Sequence, residues 1–392
     1  MKTKITTSKK NKNRKIYNKY KYKYIHFLLT NNYNFNKQLI DMFCEEKNNF
    51  NLNEHLFIIA RKDVYEIEKK KCNIFLCEKP KYFGIDLINK YGDYGKWLFV
   101  HSFPFVHLES HIKKEYRNKI LWRTWGHDTK KPLTIKEIVH ETNSVNRFIR
   151  LCVRYLIETK EKKWKAIVNE FFAIGTANIV DDLIVSELFG SVKTYRMPYV
   201  NKTHYNLLVK NFNRSLKETN LNVMLGHSGY SDNHQKLITL LKKYENEKMC
   251  LHIPLGYGEP KYINKIINFT KNNWKGKVEI LTDTIKYEEY IKYIQKMDII
   301  ILEGKESYAL GNLAMALFYS KTLFLNKDGA LYKGLREEGV PCHSVDEIQK
   351  MDFKEFSSLL NYHVHNTSSL LPKPYEESVK EWTSIYDDLE NY

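Results

Sequence analysis

Residues 222–234 read NVMLGHSGYSDNH. A short apolar run leads directly into two glycines and a Ser-Asp-Asn cluster, and then into a helix-length amphipathic segment. Buried strand, tight loop and helix in that order form the repeating unit of an open parallel sheet. Gly226 and Gly229 allow close backbone approach to a ligand, and Ser228 with the first helical N–H groups offers donors to an anion. A plain turn ending in a Ser, Asp or Asn cap accounts for the same residues, so the loop alone leaves both readings open.

The rhythm repeats in both directions from this stretch. Strands are expected at 249–254, 278–281, 299–302 and 322–325, with helices at 234–244, 260–272, 286–297 and 312–319. The first half gives strands at 24–30, 55–60, 73–77, 97–101, 120–123 and 171–175, with helices such as 36–46 and 178–189 between them. Continuous apolar strands alternating with helices predict an α/β protein with parallel sheets covered on both faces. Two Rossmann-like domains facing a cleft are expected, at 24–200 and 221–392. The polar stretch 201–220 would link them, and the last helix would pack back on the N-terminal domain. Ligands in such sheets bind beyond the carboxyl ends of the strands.

Composition narrows the class. The 392 residues carry a net charge of +17, with 43% hydrophobic and 14% aromatic residues, ample for packed cores. Residues 1–23 hold ten basic and no acidic side chains, leaving only +7 on the rest. This segment is expected to be disordered. It serves as a solvated tail, as an attachment to an anionic membrane surface, or last as a nucleic-acid contact, since no zinc-finger, RNP1-like or GXXG signature accompanies it. The six cysteines at 44, 72, 77, 152, 250 and 342 form no CxxC pair, which argues for reduced thiols and against a zinc ribbon. No apolar run approaches the roughly 20 residues of a membrane span, and no signal-peptide core follows the basic start. A cytoplasmic chain is expected.

Other strand-to-helix loops offer further candidates. Tyr257, within Gly256 to Pro260, could stack on a base or sugar, and Pro260 suits a first helical turn. Between Glu303 and Leu313, Gly311 and Asn312 open an apolar helix whose N-terminus suits a diphosphate, with Lys305 as an added charge. Buried-helix packing explains these residues equally well. In the first half, WRTWGHD at 122–128 ends a strand with two tryptophans, an imidazole and a carboxylate. His127 or Asp128 there, or His101 after the preceding strand, could take a proton from a hydroxyl. Arg196 could act as a cationic partner. His107 and His111 read HLESH rather than HExxH and are assigned to a solvated face.

Taken together, these segments resemble glycosyltransferase family 56, the bacterial 4-acetamido-4,6-dideoxygalactosyltransferases. Residues 122–128 are similar to its W-x-x-W-G-x-D segment, and 225–229 with Asn233-His234 to its G-N-S-(loop)-N-H stretch. Residues 253–258 with Tyr262-Ile263 resemble its P-x-x-Y-G-x-x-x-Y-I pattern. Tyr287, Tyr290, Asp298 and 309–312 follow in the same order, so the similarity spans roughly residues 95–330. The chain departs from the pattern at His227, at Glu306-Ser307 and in the length of the loop from Gly229 to Asn233.

The resemblance implies a GT-B fold and an inverting transfer, independent of a metal or other cofactor. The donor would be a nucleoside-diphosphate sugar such as an N-acetylfucosamine donor. The acceptor would be a saccharide on polyprenyl diphosphate at the inner membrane face, serving surface polysaccharide synthesis. Asp128, His127 and His101 become base candidates. Arg196, Gly226, His227, Ser228, Gly229, Asn233, Tyr257, Glu303, Gly311 and Asn312 become donor-binding candidates. A non-catalytic basic-tailed binder of nucleic acid or glycan and a GT-B-like sugar-nucleotide epimerase are the competing readings.

Overall fold

The computed structural model describes residues 20–28, 33–77, 85–103, 111–125, 128–129, 161–198, 202–212, 220–227, 233–256, 259–305, 308–359 and 368–392. His127, Ser228, Gly229 and Tyr257, and the tail before residue 20, lie outside the described residues. The chain divides into two compact units. One comprises residues 1–177, 185–200 and 376–392, the other 178–184 and 201–375.

The first unit holds β1 (Tyr22–Leu28), α1 (Tyr33–Glu45), β2 (His55–Ile59), α2 (Lys62–Glu68), β3 (Ile74–Leu76), α3 (Ile85–Tyr91) and β4 (Gly95–His101). Then come α4 (Lys114–Arg117), β5 (Ile120–Arg123), α5 (Glu161–Val168), β6 (Ala173–Thr176), α6 (Ile179–Phe189) and β7 (Thr194–Arg196). Helix α6 begins in the second unit and ends in the first. The seven strands pair in the order β3-β2-β1-β4-β5-β6-β7, all parallel.

The second unit holds α7 (Lys202–Lys210), β8 (Leu221–Leu225), α8 (His234–Leu241), β9 (Met249–Pro254), α9 (Pro260–Asn273), β10 (Lys277–Leu281) and α10 (Tyr287–Lys296). It continues with β11 (Ile299–Leu302), α11 (Leu310–Phe318), β12 (Thr322–Leu325), α12 (Ala330–Glu337), β13 (His343–Ser344) and α13 (Phe353–Ser358). Its six strands run β10-β9-β8-β11-β12-β13, again all parallel. The expected α/β architecture is therefore present twice. The polar stretch 201–220 is not wholly a linker, since it supplies α7 with Leu208 buried.

Strand composition explains the layering. All four residues of β11, Ile299-Ile-Ile-Leu302, are fully buried, which requires helices on both faces. On β9, Leu251 and Ile253 join the core under α8 and α9, while Met224, Ile300 and Leu302 pack with α10 and α11 on the other face. Each such side chain contributes about 1.5–3 kcal/mol by leaving water. In the first unit the closing helix α14 (Tyr375–Glu390) seals one face of its sheet. Fully buried Trp382 meets Phe43 and Phe99 and donates its indole N–H to Pro198 O at 2.8 Å, while Tyr386 packs on Phe43, His55 and Phe99.

Both sheets reverse strand order beside their first strand, between β1 and β4 and between β8 and β11. Crevices at such switch points are where open α/β sheets take their ligands, at the carboxyl ends of the strands.

Candidate active site

In the second unit the loops beyond β8, β11 and β12 enclose a cavity of about 480 Å³ lined by Asn233, Lys236, Glu303, Lys305, Asn326, Asp328 and Asp346. It lies at the switch point. Gly226 follows β8 directly, with φ of 59° and its N–H bonded to Ile301 O at 2.8 Å. The left-handed backbone turns the chain off the strand, where a side chain would be strained. His227 then places its ring 4.8 Å from that of Tyr308, so the loops after β8 and β11 meet.

Tyr308 in turn folds back over its own loop. Its hydroxyl accepts the N–H of Gly304 at 2.7 Å, and a Cβ on Gly304 would lie 2.2 Å from the Tyr308 ring. Glu303 is buried, with its carboxylate paired to Lys236 and its backbone oxygen accepting from Asn326 Nδ2 at 3.0 Å. These bonds fix a mixed-charge rim around an open polar space.

Helix starts complete the arrangement. Asn233 precedes α8 at φ 49°, and Ala309 precedes α11 at φ 51°, neither capping its helix with a side chain. With Ser102 and Ser320 they are the non-glycine residues of positive φ among those described. Three of the four, Ser102, Asn233 and Ala309, stand at or beyond strand carboxyl ends. Gly311 is exposed, with nothing within 4 Å of where its Cβ would be. Asn312 is buried. Its Oδ1 accepts from the Tyr290 hydroxyl at 3.1 Å, while its Nδ2 has no hydrogen-bond partner among the described residues. An open backbone at a helix start beside a spare amide donor suits an anionic group.

Of the expected donor residues, Asn233 and Glu303 share the cavity, while Gly226 and His227 occupy the loop that approaches it. Gly311 and Asn312 stand at the start of α11 and do not line the cavity. Arg196 belongs to the first unit, where it ends β7 and donates to Thr176 Oγ1 at 3.0 Å. Lys236, Asn326, Asp328 and Asp346 also line the cavity and are not among the expected residues. Asn326 and Asp328 follow a strand that was recognised, so the strand-end rule would have found them. Lys236 reads as an ordinary exposed helix residue.

The first unit's carboxyl ends are built differently. Asp128 is fully buried. Its Oδ2 accepts from Phe103 N–H at 3.0 Å and Trp122 Nε1–H at 3.1 Å, and its Oδ1 from Trp125 N–H. These bonds join the loop after β4 to the loop after β5. Burial pushes the carboxyl up to about 8, against the pull of those donors and of Arg123.

His101 is also fully buried and belongs to a chain of three imidazoles on adjacent strands. His55 Nδ1 meets His26 Nε2 at 3.1 Å, and His26 Nδ1 meets His101 Nε2 at 3.1 Å. Burial holds His55 and His101 down to about 3, helped by Lys23 and Arg123 respectively, and holds His26 well below the usual range, with both neighbouring rings adding to the effect. Three neutral rings in series must share one direction of N–H donation. A second cavity, about 270 Å³, opens at the opposite, amino ends of β1 and β4 beside Lys21, Lys23 and Lys96. None of the expected site residues lines it.

Comparison with known proteins places the chain. A family model described as 4-alpha-L-fucosyltransferase glycosyl transferase group 56 matches residues 183–386, more than half of the chain. The chain belongs to that family. It is a fucosyltransferase-like glycosyltransferase.

Solved structures agree on the fold. A glycosyltransferase from Rickettsia africae aligns over 95% of this chain and 98% of its own at 12% identity, with a TM-score of 0.57. Sucrose-phosphate synthase from Thermosynechococcus elongatus aligns over 94% and 99% at 11% identity, with a TM-score of 0.55. Anabaena HepE in complex with UDP-glucose aligns over 94% and 100% at 9% identity, with a TM-score of 0.53. These are GT-B architectures, and the group 56 protein shares that fold. No curated protein matches the chain. Among the described residues, no helix is long and apolar enough to cross a membrane.

Proposed function

We propose that this group 56 enzyme is an inverting transferase acting on a deoxyamino sugar such as N-acetylfucosamine. It takes the sugar from a nucleoside diphosphate and gives it to a saccharide carried on polyprenyl diphosphate, in bacterial surface polysaccharide synthesis. Family membership carries the proposal. The polar cavity at the second unit's switch point supports a donor site there, as does the anion-suited start of α11.

In the proposed step an acceptor hydroxyl attacks the anomeric carbon from the face opposite the diphosphate. The new C–O bond forms as the bond to the diphosphate oxygen breaks. The bonding pair leaves on the diphosphate, and the hydroxyl proton goes to a base. Negative charge growing on the leaving group is met by backbone N–H groups and side chains near Gly226, Ser228, Gly229, Gly311 and Asn312, so that no metal is needed for transfer. Glu303, Asn233, His227 and Tyr257 would hold the sugar and nucleoside, and Arg196 would supply positive charge.

The base is proposed to be Asp128, with His127 and His101 as rivals. Burial raises the pKa of the carboxyl, which makes its ionised form a stronger base for a hydroxyl proton. Its enclosure by three donors requires the loop after β5 to open before a hydroxyl reaches it. The basic residues 1–23 would bring the enzyme to an anionic membrane surface on the cytoplasmic side.

Incubating the full chain with nucleotide sugars and a lipid-linked acceptor tests the reading. It predicts nucleoside diphosphate and a longer lipid-linked saccharide only when both substrates are present. Turnover of the nucleotide sugar without acceptor would point instead to an epimerase. Because β1 already begins at Tyr22 and Lys23 is buried, the deletion stops short of the strand: removing residues 1–19 should abolish sedimentation with anionic vesicles while sparing transfer to a soluble acceptor analogue.

A further inference from the structure

On the second sheet, away from the strand ends, three side chains of different chemistry converge. Cys250 and His252 point from the same face of β9, and Glu279 stands beside His252 on the edge strand β10, its register partner. Their sulfur, nitrogen and oxygen atoms all lie within 4.8 Å of one another. Cys250 and His252 are buried, whereas the Glu279 side chain is half exposed. The cluster is therefore dry inside and open at one edge.

The imidazole tautomer follows from its neighbours. His252 Nε2 lies 2.8 Å from Asn222 Oδ1, and the Asn222 amide is held in that orientation by its Nδ2 donating to Asn220 O at 3.2 Å. An amide oxygen only accepts, so Nε2 carries the proton. Nδ1 then faces Glu279 Oε2 at 3.4 Å, and in the neutral ring it would carry a lone pair there. An imidazole nitrogen, a carboxylate oxygen and a thiol sulfur, the last 3.8 Å from Leu251 O, are thus gathered close together, and a positive charge among them would attract all three. A carbonyl oxygen fixing the far nitrogen is also how metal-bound histidines are oriented.

A second feature lies alongside. The Tyr293 ring sits 5.7 Å from that of His252, and its buried hydroxyl has no hydrogen-bond partner among the described residues. A cation carrying a water would give the hydroxyl a partner. Lys277, 3.9 Å from Glu279 Oε1, is the competing charge on the exposed side.

We propose that Cys250, His252 and Glu279 bind a divalent transition-metal ion, Zn²⁺ by the chemistry of its donors. One thiolate, one imidazole and one carboxylate are a borderline-soft set, and three protein ligands leave a fourth position for water. The site clips edge strand β10 to β9 and is separate from the sugar-transfer chemistry.

The test uses untagged full-length protein freed of metal. Competition against a colorimetric chelator should show one Zn²⁺ bound per chain, and Co²⁺ loading should give thiolate-to-cobalt absorption in the near ultraviolet. Cys250→Ser should abolish that band. Glu279→Gln, at an exposed position that leaves folding intact, should weaken Zn²⁺ at least tenfold. A Cys44→Ser/Cys72→Ser variant should change neither signal. Absence of Zn²⁺ uptake, a band that survives Cys250→Ser, or one lost with Cys44 and Cys72 would overturn the proposal.

Discussion

The carboxyl ends of the two sheets share a strand order but spend their polar groups differently. In the first unit, Asp128 meets three donors, and His55, His26 and His101 close on one another in the interior. In the second, Gly311 faces open space, Asn312 keeps a free amide N–H among the described residues, and Glu303 and Lys236 line a cavity. Satisfied polar groups rigidify a fold, and spare ones recognise a ligand. This contrast supports the proposed donor site in the second unit, and the proposed base in the first would have to be uncovered before use.

The largest expected effect probes that contrast at Asp128. Asp128→Asn should lower kcat about 100-fold or more, the usual worth of a general base, and wild-type turnover from a folded variant would remove Asp128 from that role. The same change turns an amide N–H toward Trp125 N–H and should cost about 1–3 kcal/mol of stability. Because the folded carboxyl binds its proton more tightly than the unfolded one, its contribution is full below about 4 and fades as pH rises to about 8. The variant should lack that slope.

The histidine chain carries the opposite sign. Its rings are held neutral when folded, so they favour the fold above about 6.5 and lose that contribution as pH falls toward about 3. Each proton withheld is worth roughly 1.4 kcal/mol per pH unit, so the first unit should open before the second on acidification. Hydrogen exchange resolved by peptide checks the order. His55→Asn, which keeps a donor toward His26 but cannot titrate, should reduce the slope by about a third.

Next in size, Glu303→Gln should lower kcat/KM for the donor by ~10–100-fold, the worth of a hydrogen bond to a charged group. An unchanged value would move the donor out of the cavity. Smallest is Gly311→Ala. A methyl fits there without contact and should stabilise α11 by roughly 0.5–1 kcal/mol. If the diphosphate sits against Gly311, the melting temperature should rise while donor affinity falls. A rise in both would place the anion elsewhere.

Much of this was readable before any coordinates. Ile299-Ile-Ile-Leu302 and Met249–Pro254 announce doubly covered strands, and the strand-end rule leads to Gly226, Glu303 and Gly311. Elements with little apolar signal escaped. Strand β13 is two residues long, and α12 carries Gly334 at its centre, where a Cβ would lie 2.7 Å from Val180. A glycine that permits close packing looks in sequence like one that breaks a helix. The histidine chain was hidden for another reason. Positions 26, 55 and 101 become neighbours only once β2, β1 and β4 pair in that order, and strand order is not a local property.

Calorimetric titration of nucleoside diphosphates into the full chain, beside Glu303→Gln and Gly311→Ala, bears most directly on where the donor binds. Saturable one-to-one binding to the wild type, weakened at least several-fold in both variants, is the expected result. Failure of every nucleoside diphosphate to bind, or equal affinity in all three proteins, would contradict a donor site at the second unit's switch point.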